Sequence, residues 1–105
     1  MQKILLFGAG KIGRSFVAQL FSRGGYQVIF VDVNQKIVDL LNLSFEYNVV
    51  VKGKKEYSIP VNNYRAIHFS EKEKILQEFS EVPIVATSVG LNALHDLYPL
   101  FAEAL

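Results

Sequence analysis

Three glycines with closely defined spacing are the residues with the clearest chemical potential. The segment Gly8-Ala9-Gly10-Lys11-Ile12-Gly13 follows a short apolar run and leads into residues with helical spacing. In such a turn the first glycine permits a tight reversal, the second lets a ligand approach the backbone, and the third lets the helix pack closely on the strand. The amides at the helix start, at the positive end of its dipole, then face an anion. The pattern predicts a pyrophosphate-binding turn.

A carboxylate lies where this kind of turn requires one. Asp32 ends the second apolar run, 19 positions after Gly13 (32 minus 13), and the dinucleotide fingerprint asks for an acid about 20 residues on. A glycine-rich turn beside a solvated loop aspartate is the alternative interpretation. Because a strand precedes the turn, a helix starts within it and the acid follows the next strand, dinucleotide binding is favoured.

The same carboxylate bears on the choice of cofactor. It can accept hydrogen bonds from ribose hydroxyls, whereas a 2′-phosphate at about 4 Å would cost on the order of 4 kcal/mol per charge pair at an effective dielectric near 20. The next residues, Val33, Asn34 and Gln35, include no arginine to offset that charge. The sequence therefore favours NAD over NADP.

A second candidate segment, Thr87-Ser88-Val89, ends another apolar run. Ligands of open parallel sheets bind at the carboxyl ends of the strands. The backbone of these three residues either lines the nicotinamide-ribose side of the site or forms an ordinary turn with a capping hydroxyl. Both interpretations stay open at this point.

The elements that must position these residues alternate along the chain. Strands are predicted at residues 3–7, 27–31, 64–69 and 84–88, and a β-hairpin within 45–61. Helices are predicted from Ile12, from Asn34, at 71–79 and at 91–105. The apolar face expected for the first helix comprises Ile12, Phe16, Val17, Leu20 and Phe21.

This alternation predicts an α/β fold, a Rossmann-type doubly wound parallel sheet with an inserted β-hairpin. We expect one domain spanning residues 1–105, truncated after the fourth parallel strand and its helix. The strand at 84–88 would then keep an unpaired edge, through which the protein could self-associate.

Bulk composition limits the possible partners. Eleven basic and ten acidic residues give a net charge of +1, which offers no electrostatic case for nucleic acid or an anionic membrane. There are no cysteines and the two histidines are far apart, so no metal site is predicted. No apolar run approaches the ~20 residues that cross a bilayer, and we expect a cytoplasmic protein.

The chain resembles the coenzyme domain of the long-chain polyol dehydrogenases, the mannitol dehydrogenase family. The resemblance is carried by residues 7–16, by 31–35 and by 86–90, and it extends over nearly all of the chain. It implies NAD-dependent oxidation of a sugar-alcohol phosphate, such as mannitol 1-phosphate, to a ketose phosphate. Lys11 and Ser15 depart from the family pattern, which leaves the substrate open.

The resemblance also implies roles for individual residues. The segment 8–13 would contact the pyrophosphate, and Asp32, Val33 and Asn34 would surround the adenosine ribose. The catalytic residues of the family lie in a helical C-terminal domain, so no catalytic residue is assigned here. The isolated chain should bind NAD weakly at best and should not oxidise a polyol.

Four other residues were considered for function. Arg14 could neutralise a phosphate or be a solvated helix residue. His95 and Asp96 could suggest a catalytic pair, but adjacent helix positions point about 100° apart, so both are expected to lie on a helix surface. His68 is expected to face outward from a strand. Two competing functions remain: a regulatory NAD-sensing module of the potassium-transport gating type, and the coenzyme domain of another dehydrogenase family.

Overall fold

A computed structural model describes residues 2–53, 55–89, 97 and 99–103. Four parallel strands form the main sheet: β1 (Lys3–Phe7), β2 (Gln27–Asp32), β5 (Tyr64–His68) and β6 (Ile84–Thr87), in the order β5-β2-β1-β6. Strands β3 (Glu46–Val51) and β4 (Tyr57–Asn62) pair antiparallel as a separate hairpin. The predicted α/β fold with an inserted hairpin is confirmed.

Three helices connect these strands. Helix α1 has a π-helical first part, Gly13–Val17, and an α-helical second part, Ala18–Arg23, while α2 covers Gln35–Leu43 and α3 covers Lys72–Glu81. Residues 99–103 are also helical. No helix within the described part of the chain is long and apolar enough to cross a membrane.

Strands β1 and β2 are buried on both faces, so the sheet has a hydrophobic core on each side. Side chains alternate along a strand, so the run from Ile4 to Phe7 sends Ile4 and Leu6 to one core and Leu5 and Phe7 to the other. The first core packs under α1 and α2, and the second under α3 together with Leu97, Leu100 and Phe101. Both faces must be covered before the sheet is shielded from water.

The edges of the sheet differ. At β5, the side chain of Asn42 accepts a hydrogen bond from the Ala66 N–H at 2.8 Å and donates one to the Ala66 carbonyl at 2.9 Å. At the other end, no strand among the described residues pairs with the outer side of β6. β6 itself is half-buried, with Val85 exposed.

The predicted apolar face of α1 is partly wrong. Val17 and Phe21 pack against the core, whereas Ile12, Phe16 and Leu20 are 61%, 60% and 49% exposed. Gly13 explains the difference, because a Cβ there would stand 2.2 Å from the Gly8 carbonyl oxygen. This contact rotates α1 so that the stripe 13–17–21 faces the sheet, and the stripe 12–16–20, about 100° away, faces out.

The hairpin compensates for the π-helical part of α1. The Ala18 N–H bonds to the Gly13 carbonyl, which leaves the Arg14 carbonyl without the partner that an α-helix would give it. The Tyr47 hydroxyl of β3 donates to that carbonyl at 2.8 Å. Burial, followed by the neighbouring Tyr64 hydroxyl, raises the pKa of Tyr47 well above its ordinary range.

We expect Tyr47→Phe to destabilise the fold by about 1 kcal/mol, because the Arg14 carbonyl loses its donor. In a domain of this size, that corresponds to a fall in Tm of roughly 4–8 °C, measured by thermal denaturation. Tyr57→Phe, in the same hairpin but with an exposed ring, is the matched control and should leave Tm unchanged. Equal melts for the two variants would contradict the contact.

Alkaline pH should lower the free energy of unfolding of the wild-type protein more than that of Tyr47→Phe. Because the pKa of Tyr47 is higher in the folded protein than in the unfolded chain, its stabilising contribution is fully present below about pH 10 and is lost as the pH rises toward the folded value. Urea denaturation should therefore show the advantage of wild type over Tyr47→Phe shrinking above pH 10. A constant difference would refute this linkage.

Candidate functional site

The glycine turn begins directly where β1 ends. Gly8 has a φ of +104°, a left-handed conformation that disfavours other residues. Its N–H donates to the Val31 carbonyl of β2 at 2.7 Å, so the chain reverses while still attached to the sheet. The role predicted for Gly8 in a tight turn is confirmed.

Gly13 provides the close packing of α1 on this turn. Any side chain there would collide with the Gly8 carbonyl, so only glycine brings the helix so near the strand. The first backbone hydrogen bond of the helix joins the Arg14 N–H to the Gly10 carbonyl at 3.0 Å. The amides of residues 11–13 precede this bond, where helix amides have no partner within the helix.

Gly10 lies at the open side of the turn. A Cβ added there would meet nothing within 4 Å, so the missing side chain serves no packing purpose inside this chain. Lys11 and Ile12 beside it are exposed. The backbone at the start of α1 is thus reachable from outside, with room for a ligand where a side chain would stand.

Asp32 joins the ends of three elements. Its Oδ2 atom accepts a hydrogen bond from the Ala9 N–H at 2.7 Å, and its Oδ1 atom accepts one from the Asn34 N–H at 2.8 Å. Asn34 in turn caps α2, with its Oδ1 atom accepting from the Ile37 N–H. The carboxylate therefore lies at the mouth of the turn, while the Val33 side chain is 72% exposed.

The bracing of the turn by Asp32 was not predicted from the sequence. A carboxylate offers about four lone-pair sites, and the two backbone bonds use two of them. The remaining sites allow Asp32 to accept hydrogen bonds from a ligand as well. A buried Ala9 and a constrained carboxylate together make the mouth rigid before any ligand arrives.

The segment at the end of β6 supports the same turn. The Ser88 N–H donates to the Phe7 carbonyl at 2.8 Å, and the Ser88 hydroxyl donates to the Gly8 carbonyl at 3.0 Å. Val89 lies against Gly8, whereas Thr87 is exposed at the strand end. The Ser88 hydroxyl therefore holds the glycine turn from the end of β6.

An apolar cleft of about 240 Å³ opens at the carboxyl ends of the strands. It is lined by the strand ends and the residues that follow them: Phe7, Gly8, Val31, Asp32, Val33, Phe69, Val89 and Leu97. Strand order reverses between β1 and β6, which is the topological switch point where such sheets bind ligands. An apolar wall beside one carboxylate suits a flat ring attached to a hydroxylated sugar.

Two features of the cleft were missed from the sequence. Phe69 contributes to its wall, and His68 contacts Val33 beside it rather than simply facing outward. The sheet register explains this contact, since His68 is the parallel partner of Asp32, the residue before Val33. His95 and Asp96, predicted to lie on a helix surface, fall outside the described residues.

The sequence matches the family profile described as the mannitol dehydrogenase Rossmann domain over residues 2–105. The chain belongs to the mannitol dehydrogenase family. The predicted resemblance is therefore confirmed, and the domain is one that uses a dinucleotide cofactor. Such a group fits these residues in size and polarity. It would meet the accessible backbone at Gly10, the apolar cleft and the acceptor atoms of Asp32.

Curated relatives carry the name mannitol-1-phosphate 5-dehydrogenase. The one from Caldanaerobacter subterraneus subsp. tengcongensis is 40% identical, over 92% of this chain and 25% of the relative. That from Shouchella clausii is 41% identical over 98% and 28%, and that from Neurospora crassa 39% identical over 99% and 27%. The chain spans about a quarter of the length of these relatives.

Alanine substitutions at two glycines should separate packing from ligand access. Gly13→Ala is expected to destabilise the fold by about 3 kcal/mol, at the upper end of what overpacking costs, because its Cβ would collide with the Gly8 backbone. Gly10→Ala should change stability by no more than about 0.5 kcal/mol. Urea denaturation of both variants measures the difference.

A double variant checks the cause. Ser88→Ala removes the hydroxyl that would also lie 2.6 Å from the new Cβ at position 13, but leaves the Gly8 carbonyl in place. Gly13→Ala combined with Ser88→Ala should stay as unstable as Gly13→Ala. Recovery of stability in the double variant would show that the side chain, not the backbone, requires glycine.

Proposed function

We propose that this chain is the NAD-binding domain of a polyol-phosphate dehydrogenase. The open backbone at Gly10, directly before the free amides of α1, is the observation that carries the proposal. Amides at a helix start, with roughly half a positive charge from the helix dipole, hold a diphosphate without a basic patch. The net charge of +1 is compatible with this kind of local anion site.

Each remaining part of the cofactor has residues to hold it. Asp32, flanked by Val33 and Asn34, accepts hydrogen bonds from the adenosine ribose, and the apolar cleft takes the adenine. The segment 87–89 borders the same mouth from β6, on the side toward the nicotinamide ribose. NAD, when bound, supplies the acceptor for the hydrogen removed from an alcohol carbon.

Asp32 makes NAD the preferred cofactor. Its charge is held in place by the Ala9 and Asn34 amides, so it cannot swing away from a 2′-phosphate without breaking both bonds. Two like charges at about 4 Å repel by on the order of 4 kcal/mol at an effective dielectric of 20. The preference for the unphosphorylated ribose thus follows from a constrained carboxylate.

The substrate proposal comes from the relatives. Their name specifies mannitol 1-phosphate, and we propose a sugar-alcohol phosphate of this kind for the enzyme to which this domain contributes. Within residues 1–105 we assign cofactor binding and no catalytic group. A further domain would supply the groups that bind the polyol and remove its proton.

Cofactor binding is tested by NMR titration of the ¹⁵N-labelled chain, which detects weak complexes. NAD is expected to bind at least about tenfold more tightly than NADP, because of the charge on Asp32. Gly10→Ala should lower the affinity for NAD by a similar factor without unfolding the chain, since its methyl group would occupy the space proposed for the diphosphate.

Asp32→Asn is the control for the cofactor preference. It removes the charge with little change in shape, so the ratio of NAD to NADP affinity should fall toward one. Equal affinity of the wild-type chain for the two cofactors would show that the role given to Asp32 is incorrect. Unchanged NAD binding in Gly10→Ala would place the diphosphate elsewhere.

A further inference from the structure

The imidazole of His68 contacts the backbone of the loop between β2 and α2. Its Nε2 atom lies 2.8 Å from the Val33 carbonyl oxygen. Its Nδ1 atom lies 3.1 Å from the Ser70 backbone nitrogen and 2.7 Å from the Ser70 hydroxyl. Both ring nitrogens are therefore engaged, and the ring is fixed between two loops.

These partners determine the position of the imidazole proton. A backbone N–H can only donate, so the Ser70 amide requires Nδ1 to be an acceptor. In a neutral imidazole the other nitrogen then carries the hydrogen. Nε2–H accordingly donates to the Val33 carbonyl, which can only accept.

The contact reaches Asp32 through a single peptide group. The carbonyl of Val33 and the N–H of Asn34 belong to the same planar unit. His68 holds the carbonyl end, and the Asp32 Oδ1 atom accepts from the N–H end at 2.8 Å. Hydrogen bonds in such a chain polarise one another, and the rigid plane couples the orientation of the imidazole to that of the carboxylate.

The two ends of this peptide are held differently. On the Asn34 side, the start of α2 adds two bonds, because the Asn34 Oδ1 atom accepts from the Ile37 N–H and the Asn34 carbonyl accepts from the Val38 N–H at 3.1 Å. On the Val33 side, the side chain is exposed, so it contributes little packing. The carbonyl end of the Val33–Asn34 peptide is thus held by His68.

We propose that His68 is a positioning residue for recognition of the adenosine ribose, acting through the Val33–Asn34 peptide on the Asp32 carboxylate. The inference rests on the proposed NAD-binding function and deepens it. With the peptide held, Asn34 fixes the Oδ1 atom of Asp32 and Ala9 fixes the Oδ2 atom. The unused lone pairs of the carboxylate then keep a single orientation. Without His68, the carbonyl end of the peptide loses its partner, and the Asn34 N–H that anchors the Asp32 Oδ1 atom is held less firmly.

Two variants separate the two ring nitrogens. The amide nitrogen of Gln in His68→Gln reaches the position of Nε2 and can still donate to Val33. The shorter amide in His68→Asn reaches only the position of Nδ1, so it keeps an acceptor for Ser70 and loses the Val33 contact. Both substitutions remove the ring, which makes them a matched pair for stability.

Binding of ADP and of 2′,3′-dideoxy-ADP to the chain is then compared by NMR titration. Wild type and His68→Gln should bind ADP more tightly than the dideoxy nucleotide. In His68→Asn, ADP binding should fall about fivefold while dideoxy-ADP binding is unchanged. The Asn34 amide proton, observed without ligand, should shift upfield in His68→Asn alone, because its bond to Asp32 weakens.

Several results would overturn the inference. If both variants weakened both nucleotides equally, His68 would be a structural residue only, and an unchanged ADP affinity and Asn34 shift in His68→Asn would remove its role altogether. Failure of the proposed function looks different: the wild-type chain would then bind the two nucleotides equally or bind neither. The Asn34 shift still tests the peptide coupling in that case, and an unperturbed shift would refute it.

Discussion

The close approach of α1 to the Gly8 carbonyl is the constraint on which the rest of this domain depends. It requires a bare Gly13, and it determines both where the helix amides point and which stripe of the helix is buried. Because the helix starts immediately above β1, its unpaired amides open onto the switch point of the sheet. A helix displaced by one methyl group would offer neither the packing nor the anion site.

Asp32 constrains the opening of the glycine turn. Its two carboxylate oxygens bind amides from the glycine turn and from the start of α2, so the residue proposed to bind the ribose also connects the two segments around it. Preorganisation of this kind reduces the ordering that a ligand must impose on binding. The same bonds hold the charge of Asp32 in place, and the proposed preference for NAD depends on this constraint.

The hairpin donates a hydrogen bond to the irregular, π-helical part of α1 from a distant part of the chain. The π-helical part of α1 leaves the Arg14 carbonyl without a helical partner, and Tyr47, 33 residues away, supplies the donor. A hydrogen bond of this kind contributes about 1 kcal/mol to stability. The inserted strands therefore stabilise the helix that carries the anion site, although they lie outside the main sheet.

Local spacing was enough to predict the glycine turn, Asp32, the alternating strands and helices and the hairpin, because each is encoded by residues close together in the chain. The rotation of α1 was not encoded in this way: the stripes through Ile12 and through Gly13 are both apolar at helical period, and only contact with Gly8 decides between them. The contact of His68 with Val33 was equally hidden, since the pairing of β2 with β5 brings the two residues together. Residue types and spacing thus determined the elements of the fold and the candidate binding turn, whereas the orientation of each group was decided by contacts between segments that only the folded sheet brings together.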